Sequence, residues 1–378
     1  MMPHFYTSNV TEKSSSRENH GVPYMNITAD EIDLHPVTRC IELYIIPILC
    51  IIGVIGNTLS TIIFMNKTLR NSSCSIFLAV RGMSDNGFLT TLLIPWISRT
   101  LRLELGSTNG VCQLIVFLTY VCGFISVWMV VFVTAENYIR ICRPFIVSRM
   151  CTPAKAKLVV AALGLTAVAL YNFPFWAMTP SSCESYPILY NVVQGLVYTD
   201  TVLTLVFPFV CIALLMTAIV CDLVRSYKRR NHHRAPNARN NRNPMAKVTK
   251  MLFAVTISFF VLNLPSHVSR LRSTLINMKT GGGLSSLDQA VGQITLLIYY
   301  SSLAFNIVLY ITFGSRFRCV FIEVFCSRCK YHISCMASNN YEKHNIEQST
   351  SVLLLRNQGT ERVPIHQLTD ENDVNNDC

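Results

Sequence analysis

The chain has 378 residues, 51% of them hydrophobic and only 14% charged, and it carries a formal net charge of +11. Soluble domains usually carry nearer a quarter charged residues, so this composition excludes an ordinary soluble protein once the apolar residues prove to lie in long runs. Fifteen cysteines sit mostly inside those runs or beside basic segments, which excludes a disulfide scaffold.

Residues 1–40 are polar with no apolar core, so they read as an outer tail, and the first span serves as its own insertion signal. Asn9-Val10-Thr11 and Asn26-Ile27-Thr28 are glycosylation acceptor triplets, which have meaning on the lumenal side of a membrane. A bilayer crossing takes about 20 apolar residues. Charge-free runs at 43–66, 114–135, 158–183, 201–221 and 290–315 meet that length, and 251–269 joins them with His267 neutral. Residues 76–97 make the seventh span although they carry Arg81 and Asp85, charges that a bundle interior accepts more readily than lipid. Arg81 stands one turn before Asp85, a spacing that allows pairing, but its long stem favours snorkelling to the inner face.

Beyond the run at 290–315, Phe317, Val320, Phe321, Val324 and Phe325 recur at helical spacing beside Arg316, Arg318 and Glu323, the pattern of a helix lying on the inner membrane surface. Cys326 and Cys329 follow as candidates for acylation, with free thiols as the alternative. The expected fold is an all-α membrane protein. It has an outer tail over 1–40, a seven-transmembrane helix bundle over 41–313, a short amphipathic eighth helix with juxtamembrane cysteines over 314–330, and a disordered cytoplasmic tail over 331–378.

Lys and Arg set the orientation. Segments 66–72, 136–157, 225–250 and 316–330 hold 20 of them, whereas 1–40, 98–111, 179–200 and 270–289 hold 8. The N-terminus is therefore expected outside and the C-terminus inside. The same bias explains the net charge without a nucleic-acid partner, since its largest cluster, Arg225 to Lys250, forms one inner loop with no acid. Anionic lipid of the bilayer or a signalling partner is the alternative contact for that loop. There is no phosphate-cradling glycine loop, no nucleophile with a readable base and no metal-ligand spacing, so enzyme chemistry is not expected. A transporter or channel would show paired charges across spans, an internal repeat or matching broken helices, and none is evident.

Polar residues inside the runs fall one or a few per span: Asn57, Asp85, Ser126, Asn263, His267, Ser302 and Asn306. Prolines at 95, 208 and 265 would kink the second, fifth and sixth helices. Taken with their neighbours, these residues resemble the landmarks of rhodopsin-like G-protein-coupled receptors. The matching groups are Gly56-Asn57, Leu78-Ala79 with Ser84-Asp85, Glu136-Asn137-Tyr138, Phe207-Pro208, Asn263-Leu264-Pro265, and Asn306-Ile307-Val308-Leu309-Tyr310 followed by Phe313 to Phe317. Cys112 precedes Asn137 by 25 residues, which is ~37 Å of helix and enough to run between membrane faces. The runs around Gly56, Tyr120 and Asn263 resemble receptors for short amidated peptides, of the FMRFamide, CNMamide and thyrotropin-releasing-hormone-like groups.

The resemblance implies a disulfide between Cys112 and Cys183 and a sodium pocket formed by Asp85, Ser126, Ser302 and Asn306, beside the polar Asn57; a polar packing network without an ion is the alternative. It implies a peptide ligand outside and a heterotrimeric G protein and arrestin inside. Pocket candidates by depth are Trp96, Thr119, Tyr120, Thr204, His267, Arg270, Gln293 and Tyr299, with packing as the other reading of each. Activation residues would be Glu136, Asn137, Tyr138, Arg140, Pro208, Pro265 and Tyr310. Three departures stand out: Asn137 replaces the family's Arg, Ile307 the usual Pro, and Asn263 the usual Trp. Asn137 cannot pair with Glu136, which weakens the expected resting lock, and Arg140 offers a cation one turn on. A receptor that binds ligand yet couples weakly to G protein, or couples to arrestin instead, is the alternative function.

Overall fold

A computed structural model of the chain describes residues 40–103, 110–180, 184–232, 244–280 and 285–325. Asn9, Asn26, Cys183, Cys326, Cys329 and the tail at 331–378 lie outside them. The chain divides between Phe313 and Gly314 into two units, each described by itself.

Among the described residues, seven helical columns make up the first unit. The first span is Ile46–Phe64, the second Ser73–Thr100, the third Val111–Cys142 and the fourth Pro153–Tyr171. The fifth comprises Tyr190–Thr201 and Phe207–His232, joined by a π turn at Val202–Val206. The sixth is Pro244–Thr280, and the seventh comprises Ser286–Ala304 and Asn306–Phe313. Among the described residues, five columns are long and apolar enough to cross a bilayer on their own, and the seventh is so as a pair bent by 47°. The second has 28 residues but includes Arg81, Asp85 and Arg99, which lower its apolarity without shortening it. Together they form a seven-transmembrane bundle.

The faces are those that a lipid solvent selects. The first span exposes Ile48, Ile51, Ile52, Ile55 and Ile62 and buries Gly53, Gly56, Asn57 and Ser60. Polar and small residues belong at helix interfaces in a membrane, because lipid tails leave no hydrophobic drive between helices and close approach must supply it. The third span is central, packing on the second, fourth, fifth and sixth, while the seventh closes on the first. A Cβ at Gly53 would stand 2.5 Å from Leu89 Cδ1 and 3.1 Å from the Ala304 backbone. Gly53→Val should therefore overpack the junction of the first, second and seventh spans, at about 1–3 kcal/mol. Thermal unfolding of detergent-solubilised protein would show a midpoint several degrees lower, and an unchanged midpoint would refute the close approach.

Local signals set the helix ends. The Thr152 hydroxyl accepts from Lys155 N ahead of Pro153, and the Ser285 hydroxyl accepts from Asp288 N at 3.2 Å, both N-caps. The apolar run at 158–183 includes loop as well as helix, because the fourth span stops at Tyr171 and Pro174 turns the chain. The chain then folds back through a bridge between Met178 and Ser185. The fifth span begins at Tyr190, well before the run at 201, and so carries Asp200 inside the bundle. The sixth likewise runs through Arg270 to Thr280. The π turn precedes Pro208, whose ring crowds the carbonyl four residues back. The seventh bends at Phe305 without a proline; Val308 N bonds to Phe305 O at 3.1 Å, a tighter turn than an α-helix makes.

The second unit contains the helix Ser315–Phe325. Phe317, Phe321 and Phe325 line one face, with ring centroids 6.4 and 5.2 Å apart in sequence, as the amphipathic pattern predicts.

Candidate functional site: three polar clusters along the bundle

The outermost cluster joins the fourth, fifth and sixth spans. Asp200 is buried, and its Oδ2 accepts from an Arg270 guanidinium nitrogen at 2.5 Å while its Oδ1 accepts from the Tyr171 hydroxyl at 2.8 Å. Tyr171 stacks on Tyr120 with centroids 5.4 Å apart. The expectation that no charges pair across spans is thus corrected: Asp200 and Arg270 do so, 70 residues apart. Neither Asp200 nor Tyr171 was among the sequence candidates. A signal existed, because an acid bordering one apolar run needs a partner in a bilayer and Arg270 borders another. The apolar runs by themselves place both residues in loops, which hides the pair.

The other pocket candidates are not all gathered at this centre. His267, one turn below Arg270, packs edge-on against Phe209 at 4.9 Å, and its Nε2 is buried without a hydrogen bond. Thr204 bonds to the Asp200 carbonyl, and Thr119 bonds to Thr91 across to the second span at 2.9 Å. Tyr299 packs edge-on against Phe88. Trp96 is half-buried, its indole N–H given to the Leu43 carbonyl at 2.9 Å, and Gln293 is half-buried on the seventh span. Cys112 is disulfide-bonded, and next to it Gln113 holds the Met178 carbonyl, in the connection between the fourth and fifth spans, at 2.6 Å.

The middle cluster surrounds Asp85, which is fully buried. Ser126 donates to its Oδ1 and the Asn306 amide to its Oδ2 at 2.9 Å. Ser302 turns away to Asn263 on the sixth span at 3.0 Å, and Asn57 bonds to the Leu303 carbonyl at 3.1 Å. Arg81 does not snorkel. It is 2% exposed with its Nε 3.7 Å from Asp85 Oδ2, because the carboxylate offers a charge partner inside the bundle. These residues do not fit a sodium ion: a hard cation collects oxygen ligands, whereas Asn306 presents N–H donors and Ser302 is engaged elsewhere.

The inner cluster lies at the end of the third span. Glu136 Oε1 accepts from Ser73 at 2.7 Å and from two nitrogens of Arg140. The cation is therefore present one turn beyond the expected position, but its pair lies within the third span and reaches the second, not the sixth. Asn137 is fully buried, with neither amide atom hydrogen-bonded. The third and sixth spans meet through the hydroxyls of Thr134 and Thr256, 3.1 Å apart, and through the apolar packing of Val127 and Val130 with Phe259. Tyr138 is half-buried, Pro208 is buried, and Pro265 stands inside the sixth helix. Tyr310 is buried edge-on against Phe64 at 4.9 Å. Among the described residues no group of three or more His, Cys, Asp or Glu is placed to hold a metal.

Residues 56–310 match the family described as 7 transmembrane receptor (rhodopsin family). The chain is 25% identical to the FMRFamide receptor of Drosophila melanogaster over 75% of its own length and 53% of that protein's, so the match spans about half of that relative. It is 25% identical to the mouse neuromedin-U receptor 1 over 72% of this chain and 70% of the relative. It is 26% identical to the mouse C-C chemokine receptor 1-like protein 1 over 71% and 74%.

Proposed function

Because the chain belongs to the rhodopsin family of seven-transmembrane receptors, we propose that it binds a short amidated neuropeptide outside the cell and signals to a heterotrimeric G protein within. Its membrane orientation is N-terminus out, on the Lys and Arg distribution, and Cys183 is the partner of Cys112. The observation that carries the ligand reading is the outer cluster. Arg270 is 22% exposed while anchored on Asp200, and a guanidinium has five N–H donors, so it retains donors for a peptide carbonyl or carboxylate. His267, with its unsatisfied Nε2 one turn deeper, suits a second polar contact. A peptide shifts the receptor only by binding the active arrangement better.

The inner face supports a second reading, a receptor that binds ligand but engages arrestin rather than G protein. Arg140 is committed to Glu136, and the Asn137 amide is buried without partners, so no free cation is presented at that position. Recruitment of G protein and of arrestin in cells, with a panel of short amidated peptides, separates the two. The expected result is G-protein recruitment by at least one peptide on the wild type. Arrestin recruitment alone, with G-protein recruitment appearing in Asn137→Arg, would favour the second reading. Silence in both channels from a well-displayed receptor would refute the peptide assignment.

A further inference from the structure

The failure of the Asp85 cluster to fit sodium has a specific cause, a cation already attached to the chain. We infer that Arg81 is the built-in countercation of Asp85, fills the role that a mobile ion would take, and makes this receptor insensitive to sodium.

Three contacts define the arrangement. Arg81 Nε stands 3.7 Å from Asp85 Oδ2, both side chains being almost wholly buried. The guanidinium carbon lies 5.7 Å from the ring centroid of Phe259 on the sixth span, within the range of a cation–π contact. Tyr310 of the seventh span lies close enough to Arg81 for the two to interact electrostatically. Nε and Nη1 make no hydrogen bond, so charge and the aromatic face, rather than a full set of acceptors, hold the group in place. One guanidinium therefore meets the second, sixth and seventh spans together.

Electrostatics exclude a second cation beside it. At ~4 Å and an effective dielectric of ~20, repulsion between like unit charges weakens binding roughly a thousandfold. Ligand geometry adds to this, since the Asn306 amide turns its N–H groups to Asp85 and Ser302 is bonded to Asn263. A free ion can leave when helices rearrange. A tethered one moves only as far as its side chain reaches, so rearrangement of the sixth span must break or carry the Phe259 contact. The inference concerns the mid-bundle pocket and stands independently of the peptide reading.

Thermal unfolding of the full-length receptor in detergent tests it, in sodium chloride against choline chloride at equal ionic strength. The wild type is expected to unfold at the same midpoint in both salts. Arg81→Leu, which empties the position beside Asp85, should gain a sodium-dependent rise of a few degrees, because an ion that binds only the folded state stabilises it by mass action. Adding Asp85→Asn to that variant should abolish the rise. Arg81→Gln, which keeps most of the length and loses the charge, serves where the leucine variant does not fold. A wild type stabilised by sodium but not choline, with the effect lost in Asp85→Asn, overturns the inference. So does failure of both Arg81 variants to gain any sodium response.

Discussion

Arg270→Ala is expected to destabilise the receptor by about 3–5 kcal/mol and to abolish its response to peptide, because it leaves Asp200 buried without its cation. The Tyr171 hydroxyl would remain on Oδ1, but one neutral donor does not replace a charge. Asp200→Asn alone should cost less, since Arg270 is 22% exposed and can turn toward water. Combining Asp200→Asn with Arg270→Ala should recover much of the stability lost in Arg270→Ala, since no buried charge then lacks a partner. Thermal midpoints of the wild type, both single variants and the double variant close this cycle. Additive losses would show that the two groups act independently and would remove the outer cluster as a unit. The peptide response separates roles: a double variant that is stable but unresponsive assigns Arg270 to ligand contact.

The second large effect lies at mid-depth. Arg81→Leu, measured in choline chloride, should lower stability by about 3 kcal/mol, the low end of the cost of leaving one buried charge unpaired. The low end applies because Ser126 and Asn306 still donate to both carboxylate oxygens. Arg81→Leu with Asp85→Asn should recover most of that loss, as replacement of a buried pair by neutral groups often does. The midpoint in denaturation by heat reports both values. An Arg81→Leu receptor as stable as the wild type would mean that Arg81 contributes no net stabilisation beside Asp85. A double variant no better than the single would locate the loss in the Phe259 and Tyr310 contacts instead.

At the inner face, the departures from the family pattern acquire a physical meaning. Asn137 in place of the family's Arg leaves one position without a cation, yet Arg140 supplies one to Glu136 from the next turn. This pair is local to the third span, so it cannot hold the sixth in place. The Thr134–Thr256 hydroxyl contact spans that gap, and a neutral hydrogen bond contributes about 0.5–1.5 kcal/mol net. Apolar packing of Val127 and Val130 with Phe259 adds to it. Similarly, the seventh span bends without the usual proline. The break brings Asn306 onto Asp85, a contact that repays the distortion with a bond to a charge.

Apolar runs of bilayer length, their count, and the single polar residues within them were legible in the chain alone, because a membrane imposes its thickness on every span. The family landmarks followed from the same residues, and the match over 56–310 agrees with them. Helix ends were less legible. A charge stops an apolar run in the sequence, but it does not stop a helix once a partner neutralises it, so Asp200 and Arg270 border the apolar runs yet lie within helices. Partnership itself was decided only by the tertiary structure. Arg81 beside Asp85 had two reasonable destinations by spacing and stem length, and packing of the second span between the first and third placed it inward. Ser302 on Asn263 rather than Asp85, and Arg140 on Glu136, are choices of the same kind. A sequence shows which groups need partners in a membrane, and the angles at which the helices cross determine which partner each one reaches.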